Sequence, residues 1–105
     1  MGKRRIYIDK AEMVLIVPGK KGTSNYNLKS TDISRIQIQN CTEYILGFIP
    51  VESEKIVIET SKISTPITYT RKDNQDLFDD YKEEITQYAK ENRVQLTDET
   101  EDDEE

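Results

Sequence analysis

The sequence contains no histidine, no tryptophan and a single cysteine, Cys41. Histidine is the commonest general base and metal ligand near neutral pH, so its absence excludes Ser-His-Asp, Cys-His and His-based metal arrangements within one chain. One cysteine can form neither an intrachain disulfide nor a thiolate metal cluster. We therefore expect a protein that is not an enzyme, with no catalytic residues, no cofactor and no metal ion.

Long apolar runs are also missing. No stretch approaches the roughly 18 to 20 apolar residues that a membrane-spanning helix needs. The amino terminus leads directly into strand-like sequence at Ile6, without a hydrophobic region of the signal-peptide type. The lack of both kinds of segment leads us to expect a cytoplasmic location. Because the chain has 105 residues, of which 34% are hydrophobic and 34% are charged, we expect one small domain with a small core.

Negative charge is concentrated at the carboxyl terminus. Residues 98–105 hold seven of the 21 acidic residues and no basic residue, and they contain nothing apolar to bury. We expect them to form a disordered acidic tail on a single domain that spans residues 1–97. Within that domain the charge is uneven, because residues 1–29 carry seven bases against Asp9 and Glu12, a local charge of +5.

Seven short segments have the alternation or the apolar content of β-strands. Residues 5–9 and 13–17 are predicted to form a hairpin, which the proline and glycines of residues 18–22 bring to an end. Ile36 and Ile38 alternate with polar neighbours, which places one face of their strand on the core and the other in water. The other predicted strands are residues 25–29, 33–39, 44–49, 54–60 and 65–71.

The periodicity then changes from two to 3.6 residues. On a helical wheel, with 100° of rotation per residue, one arc of about 120° contains the apolar residues Leu77, Phe78, Tyr81, Ile85, Tyr88 and Ala89. Asp73 or Asn74 is suited to cap the amino end, and Asn92 tolerates the left-handed conformation that ends many helices. We predict an amphipathic helix over residues 74–91, with its apolar stripe packed on the strands.

Strand segments spaced about ten residues apart and followed by one terminal helix resemble the pleckstrin-homology (PH) superfold, in particular a bacterial PH-like domain of uncharacterised function. The similar segments are residues 26–28, 31–36, 54–60 and 78–88. The resemblance covers nearly the whole chain except the acidic tail. It implies an α+β fold, in which about seven antiparallel strands form a partly open barrel capped by one C-terminal α-helix.

Four basic residues are the candidate anion-binding site: Arg4, Arg5, Lys20 and Lys21. Gly19 and Gly22 flank the two lysines and would let the loop approach a phosphate, but the Ser or Thr and the following helix of a P-loop are missing. The alternative is a plain solubilising turn. As a patch, the four cations would attract an anionic membrane surface, a phosphorylated ligand or the protein's own acidic tail.

The remaining features indicate binding rather than catalysis. The six tyrosines suit partner contacts, and exposed strand edges accept a strand from a partner or from another copy. We expect a non-enzymatic intracellular binding or assembly module that engages a protein partner or self-associates. The alternative is a peripheral binder of anionic membrane lipid or a phosphorylated ligand, and a third hypothesis is a small hydrolase that uses carboxylates. Neither nucleic acid nor a small-molecule substrate is expected.

Overall fold

The computed structural model describes residues 4–100. Three antiparallel strands form the first sheet. In spatial order they are β1 (Ile6–Asp9), β2 (Glu12–Gly19) and β3 (Gly22–Lys29). The turn after β2 is Lys20-Lys21, shorter than the predicted break over residues 18–22, because Pro18 and Gly19 still pair with the start of β3. Pro18 fits at this position because its nitrogen, which cannot donate a hydrogen bond, faces the β1 side of β2. The pairing of β1 with β2 extends only to Leu15, so no ladder bond is lost at Pro18.

Four strands form the second sheet, in the order β6-β5-β4-β7. They are β4 (Ile33–Ile45), β5 (Ile49–Thr60), β6 (Ile67–Thr70) and β7 (Leu96–Asp98). The prediction of antiparallel strands throughout is wrong for β7, which runs parallel to β4 because the helix carries the chain back across the sheet before β7 begins. Seven strands and one C-terminal helix confirm the α+β class, and the described residues form two open sheets without a closed barrel.

Two boundaries in the second sheet differ from the predicted ones. Residues 44–49 are not a separate strand, because β4 continues to Ile45 and the chain then turns into β5. Polar side chains in residues 39–43 hid this continuity, although backbone pairing with β5 does not depend on them. The predicted domain end at Thr97 falls inside β7, and the tail residues 101–105 lie outside the described residues.

The helix lies somewhat later than predicted, at α1 (Phe78–Asn92) instead of residues 74–91. Asn74 does not cap it. Its side chain is buried and donates a hydrogen bond to a carbonyl of β6, which keeps the residue in a short 3-10 turn before α1. At the carboxyl end Arg93, not Asn92, adopts the left-handed conformation, with φ of 58°.

One cluster of buried side chains joins both sheets to the helix, as the predicted stripe requires. Two tyrosine hydroxyls in this cluster form hydrogen bonds with the backbone. Tyr81 accepts one from the Arg5 amide at 2.6 Å, and Tyr88 donates one to the Ala11 carbonyl at 2.9 Å. The fully buried side chains include Ile6, Met13, Leu15, Leu28, Ile36, Ile38, Ile56, Ile58, Phe78, Tyr81 and Ile85. The two sheets therefore depend on α1 to remove their apolar faces from water.

We expect Phe78→Ala to lower the free energy of unfolding by about 3 to 5 kcal/mol, because the ring is fully buried and its loss leaves a cavity. Urea unfolding followed by circular dichroism measures this. Thr86→Ala on the exposed side of α1 is the matched control and should change stability by less than about 0.5 kcal/mol. If Phe78→Ala is too unstable to purify, Ile85→Val should still lose about 0.5 to 1.5 kcal/mol. Equal stability of Phe78→Ala and wild type would contradict the packing of α1.

Candidate interaction surface

The β4–β5 hairpin projects beyond its neighbours in the second sheet. On one side β7 pairs only as far as Asp98, opposite Ile38, and on the other β6 pairs only as far as Thr70, opposite Lys55. Residues 41–53 therefore pair only with each other, over five residues of each strand or roughly 17 Å. We call residues 44–51 at the end of this hairpin the hairpin tip.

The hairpin tip is apolar and exposed to solvent. Leu46 is 79% exposed and Phe48 is 72% exposed at its apex. The large hydrophobic side chains that it exposes are Tyr44, Ile45, Leu46, Phe48, Ile49 and Val51. Elsewhere in residues 4–100, Tyr7 is the only exposed large hydrophobic side chain. Because exposed apolar groups of this kind are uncommon on small polar domains, the hairpin tip is the candidate interaction surface.

The turn at the apex holds a leucine in a backbone conformation that leucine disfavours. Leu46 has φ of 55° and Gly47 has φ of 82°, the signs of a type I′ turn, and the Phe48 amide donates to the Ile45 carbonyl at 3.2 Å. The left-handed conformation costs a residue with a side chain about 1 to 2 kcal/mol, and Asn or Asp is preferred at this position. The apex thus keeps an exposed leucine where a small polar residue would be more stable, which points to a function for its side chain.

Contacts from the segment after β6 hold the hairpin tip in place. The Lys72 Nζ donates to the Tyr44 carbonyl at 2.8 Å, and the Lys72 amide donates to the Glu43 carboxylate at 3.2 Å. The Ser53 hydroxyl also donates to Glu43, across the hairpin. Because these bonds order the hairpin before any partner arrives, less conformational entropy is lost on binding.

The base of the hairpin is tied to the helix through Glu54. Its carboxylate accepts hydrogen bonds from Arg71 at 2.6 Å and from Lys82 at 3.2 Å. Burial alone would raise the pKa of Glu54, but the bonds and charges of Arg71 and Lys82 outweigh burial and hold the pKa below its usual range. Arg71 also pairs with Asp79 at 2.8 Å and lies 4.7 Å from the ring centre of Phe78. These contacts join the base of the hairpin to α1.

Acidic groups lie beside the hairpin tip. Glu43 in β4 and Glu52 in β5 lie next to the tip, and neither forms an ion pair with any described residue. Because β7 runs parallel to β4, it brings Asp98 and Glu99 toward the same end of the molecule. Lys72 is the cation in contact with the tip. Immediately beside the tip, the two carboxylates of Glu43 and Glu52 therefore outnumber the one ammonium group of Lys72.

The two arginines of the predicted anion site are engaged within the domain. Arg4 forms an ion pair with Glu84, and its guanidinium lies 5.9 Å from the ring centre of Tyr7 and 5.5 Å from that of Tyr81. Arg5 donates from Nη1 to the Asn74 side chain at 3.4 Å. Both arginines are partly buried, and each already has a side-chain partner within the domain.

The two lysines of that predicted site lie in a turn of the first sheet. Lys20 and Lys21 are exposed in the turn between β2 and β3, and neither makes a hydrogen bond or ion pair with a described residue. No bond of either kind joins the lysines to the arginines. The structure thus places two free cations on one turn and two engaged cations against α1.

The remaining chemical groups offer little reactivity. Burial raises the pKa of the Cys41 thiol, and the charge of Glu43 raises it further, so the thiol stays protonated near neutral pH. Among residues 4–100, no group of three or more cysteine and carboxylate side chains is arranged to hold a metal ion. No helix in the same part of the chain has the length and apolar content to cross a membrane.

Comparison of the chain with protein-family models, with curated proteins and with solved structures gives no match. Function must therefore be argued from the geometry of the chain itself. The sequence patterns did not identify the hairpin tip, because the run of apolar residues 44–49 was predicted as a separate strand. The signals that could have identified it are Gly47 within the run and Pro50 near its end.

We expect Leu46→Asn to raise the free energy of unfolding by about 1 kcal/mol, because asparagine accepts the left-handed conformation and makes the favoured Asn-Gly turn. Thermal unfolding should show a rise in Tm of about 4 to 8 °C. Leu46→Ala removes the same apolar surface but keeps the strained backbone, so it should give no comparable gain. A loss of stability in Leu46→Asn would refute the strain at the apex.

Acid should weaken the domain partly through Glu54. Its pKa is lower in the folded than in the unfolded chain, so its contribution to stability is complete above its unfolded pKa, about 4.3, and is lost as the pH falls through the folded value. Urea unfolding at pH 7 and at pH 3 to 4 should show a smaller acid-induced loss in Glu54→Gln than in wild type. Glu83→Gln, at an exposed position on α1, should keep the wild-type loss. Identical pH profiles for wild type and Glu54→Gln would contradict this role.

Proposed function

We propose that this chain is a non-enzymatic binding module that engages a protein partner by inserting its hairpin tip into an apolar cleft. The observation that carries the proposal is the apex itself, where Leu46 and Phe48 are largely exposed on a hairpin that internal hydrogen bonds hold in place. The strained φ of Leu46 adds support, since the turn gives up stability to keep that side chain outside.

The shape of the tip favours a protein cleft. Full burial of a leucine or phenylalanine side chain contributes roughly 1.5 to 3 kcal/mol, and binding energy at interfaces concentrates in a few such side chains at the centre. Leu46 and Phe48 would be the central anchors. Tyr44, Ile45, Ile49 and Val51 would surround them and exclude water.

The charges beside the tip define the rim of that cleft. Glu43 and Glu52 lack ion-pair partners among the described residues, so a partner with basic groups around an apolar cleft would complement them. The same acids would repel an anionic membrane surface. Binding of anionic lipid or of a phosphorylated ligand through Arg4, Arg5, Lys20 and Lys21 remains the alternative, with the two lysines exposed and the two arginines engaged within the domain.

A PH-like fold is part of this proposal. Two largely antiparallel sheets followed by one C-terminal helix that packs on both of them support it. The parallel strand β7 is an addition to that arrangement. Domains that carry no catalytic residues and present loops or hairpins from a small sheet scaffold are suited to binding.

The test uses the full chain with benzoylphenylalanine in place of Phe48, irradiated in the cells that produce it. A matched position is 83 on the exposed face of α1. We expect a defined cross-linked protein from position 48 and none from position 83. That protein, purified, should bind the wild-type chain, and Phe48→Ser and Leu46→Asn should weaken binding by at least tenfold. Tyr7→Ser, which removes an exposed aromatic ring outside the hairpin tip, should leave the affinity unchanged.

Leu46→Asn makes this test independent of folding, because we expect the variant to be more stable than wild type yet to bind less well. Equal affinity of Leu46→Asn, Phe48→Ser and wild type would refute the role of the tip. Cosedimentation with vesicles of phosphatidylcholine, with and without phosphatidylserine, examines the alternative. Binding to the anionic vesicles that disappears in a Lys20→Glu, Lys21→Glu double variant would favour the lipid alternative over a protein partner.

A further inference from the structure

Strand β3 has one edge that is open from Gly22 to Leu28, before the Lys29 amide bonds to the Asp32 carboxylate. All eight of its residues pair with β2 on one side, and it is the outer strand of its sheet. No described residue pairs with its other side. Such an edge presents unpaired N–H and C=O groups and is a template for another strand.

The direction of the backbone groups follows from the hydrogen bonds of β2. The Ile16 amide donates to the Arg5 carbonyl, so the polar backbone groups of Ile16 face β1. Neighbouring residues of a strand face opposite sides, so those of Leu15 face β3. Its partner Tyr26 therefore faces β2.

Counting from Tyr26, every second residue of β3 faces away from β2. These are Thr23, Asn25, Asn27 and Lys29. The Lys29 amide already donates to the Asp32 carboxylate at 2.9 Å, so the N–H and C=O groups of the first three point into the open edge. All three side chains are exposed. The open edge therefore offers three evenly spaced donor and acceptor pairs centred on Asn25.

Between Lys21 in the preceding turn and Lys29 at its end, this edge lacks the features that usually block strand addition. The seven residues between Lys21 and Lys29 contain neither a charged residue nor a proline. Native edge strands are usually short or carry Lys, Pro or a bulge. The other outer strands are short, with four residues in β1, four in β6 and three in β7. The eight residues of β3 are thus the exception.

We propose that β3 pairs with β3 of a second copy of this chain, antiparallel and with Asn25 opposite Asn25 of that copy. This register sets Thr23 of each copy opposite Asn27 of the other. All three donor and acceptor pairs of each edge are then satisfied, by about six backbone hydrogen bonds. The two three-stranded sheets become one continuous sheet across a two-fold axis.

Symmetry is what favours a second copy over a foreign strand. The three outward-facing residues are spaced evenly about Asn25, so the edge is complementary to itself after a two-fold rotation. The side chains of Thr23 and Asn27 meet on one face of the sheet and can hydrogen-bond across it. The inference does not depend on the hairpin tip, which belongs to the other sheet.

Sedimentation of the full chain from about 1 μM to 1 mM tests the pairing, because an edge-to-edge interface of this size falls below those of stable complexes and should be weak. We expect a reversible monomer–dimer equilibrium. Asn25→Lys and Asn25→Asp should each weaken self-association at least tenfold, because like charges then face each other across the axis. Thermal unfolding of each variant should show an unchanged fold.

Mixing the two variants determines the register. If residue 25 faces residue 25, an equimolar mixture of Asn25→Lys and Asn25→Asp should regain a dimer at least as tight as that of wild type. Phe48→Ser should dimerise like wild type, which separates this inference from the proposed use of the hairpin tip. A wild-type chain that stays monomeric at 1 mM would overturn the inference, as would a dimer lost in Phe48→Ser but kept in Asn25→Lys.

Discussion

The packing of one helix against two open sheets is the interaction on which the structure depends. Neither sheet closes on itself within the described residues, so each must cover its apolar face with another element. The stripe of α1 does this for both. Phe78 and Ile85 bring apolar surface, while Tyr81 and Tyr88 also satisfy backbone groups at Arg5 and Ala11 around β1. With α1 in place, β4 and β5 can extend beyond the core.

The apolar residues of the chain serve two purposes, and the β4–β5 hairpin shows the transition. Along the inner face, the buried pair Ile38 and Ile56 is followed by Asn40 and Glu54, where the core ends. The side chains beyond are polar until the hairpin tip, where large apolar groups return without anything in the domain to cover them. The tip adds nothing to the core, and this separation is why we assign it to a partner. The outer edge of β3, on the other sheet, is polar and suited to a different contact.

Much of the architecture could be predicted from the chain alone. The first hairpin, the strand around Ile36 and Ile38 and the stripe of the helix depend on periodicity, which reflects local geometry. Strand β7 was missed because three residues are too few to show a period. The prediction that Asn74 caps the helix was wrong because its side chain instead donates a hydrogen bond to a carbonyl of β6. Periodicity also could not show that Glu84 and Asn74 engage Arg4 and Arg5, two of the four cations of the predicted anion site.

The sequence by itself determined the class of fold, the absence of histidine chemistry and the position of the helix to within a few residues. Only the tertiary structure decided which apolar residues are buried. The pattern in residues 44–51 is as apolar as that of the core strands, and periodicity cannot distinguish a covered strand from an uncovered one. Burial depends on what lies opposite, and at this position β6 and β7 have already ended. For the same reason the open edge of β3 is a property of the sheet order and not of its residues.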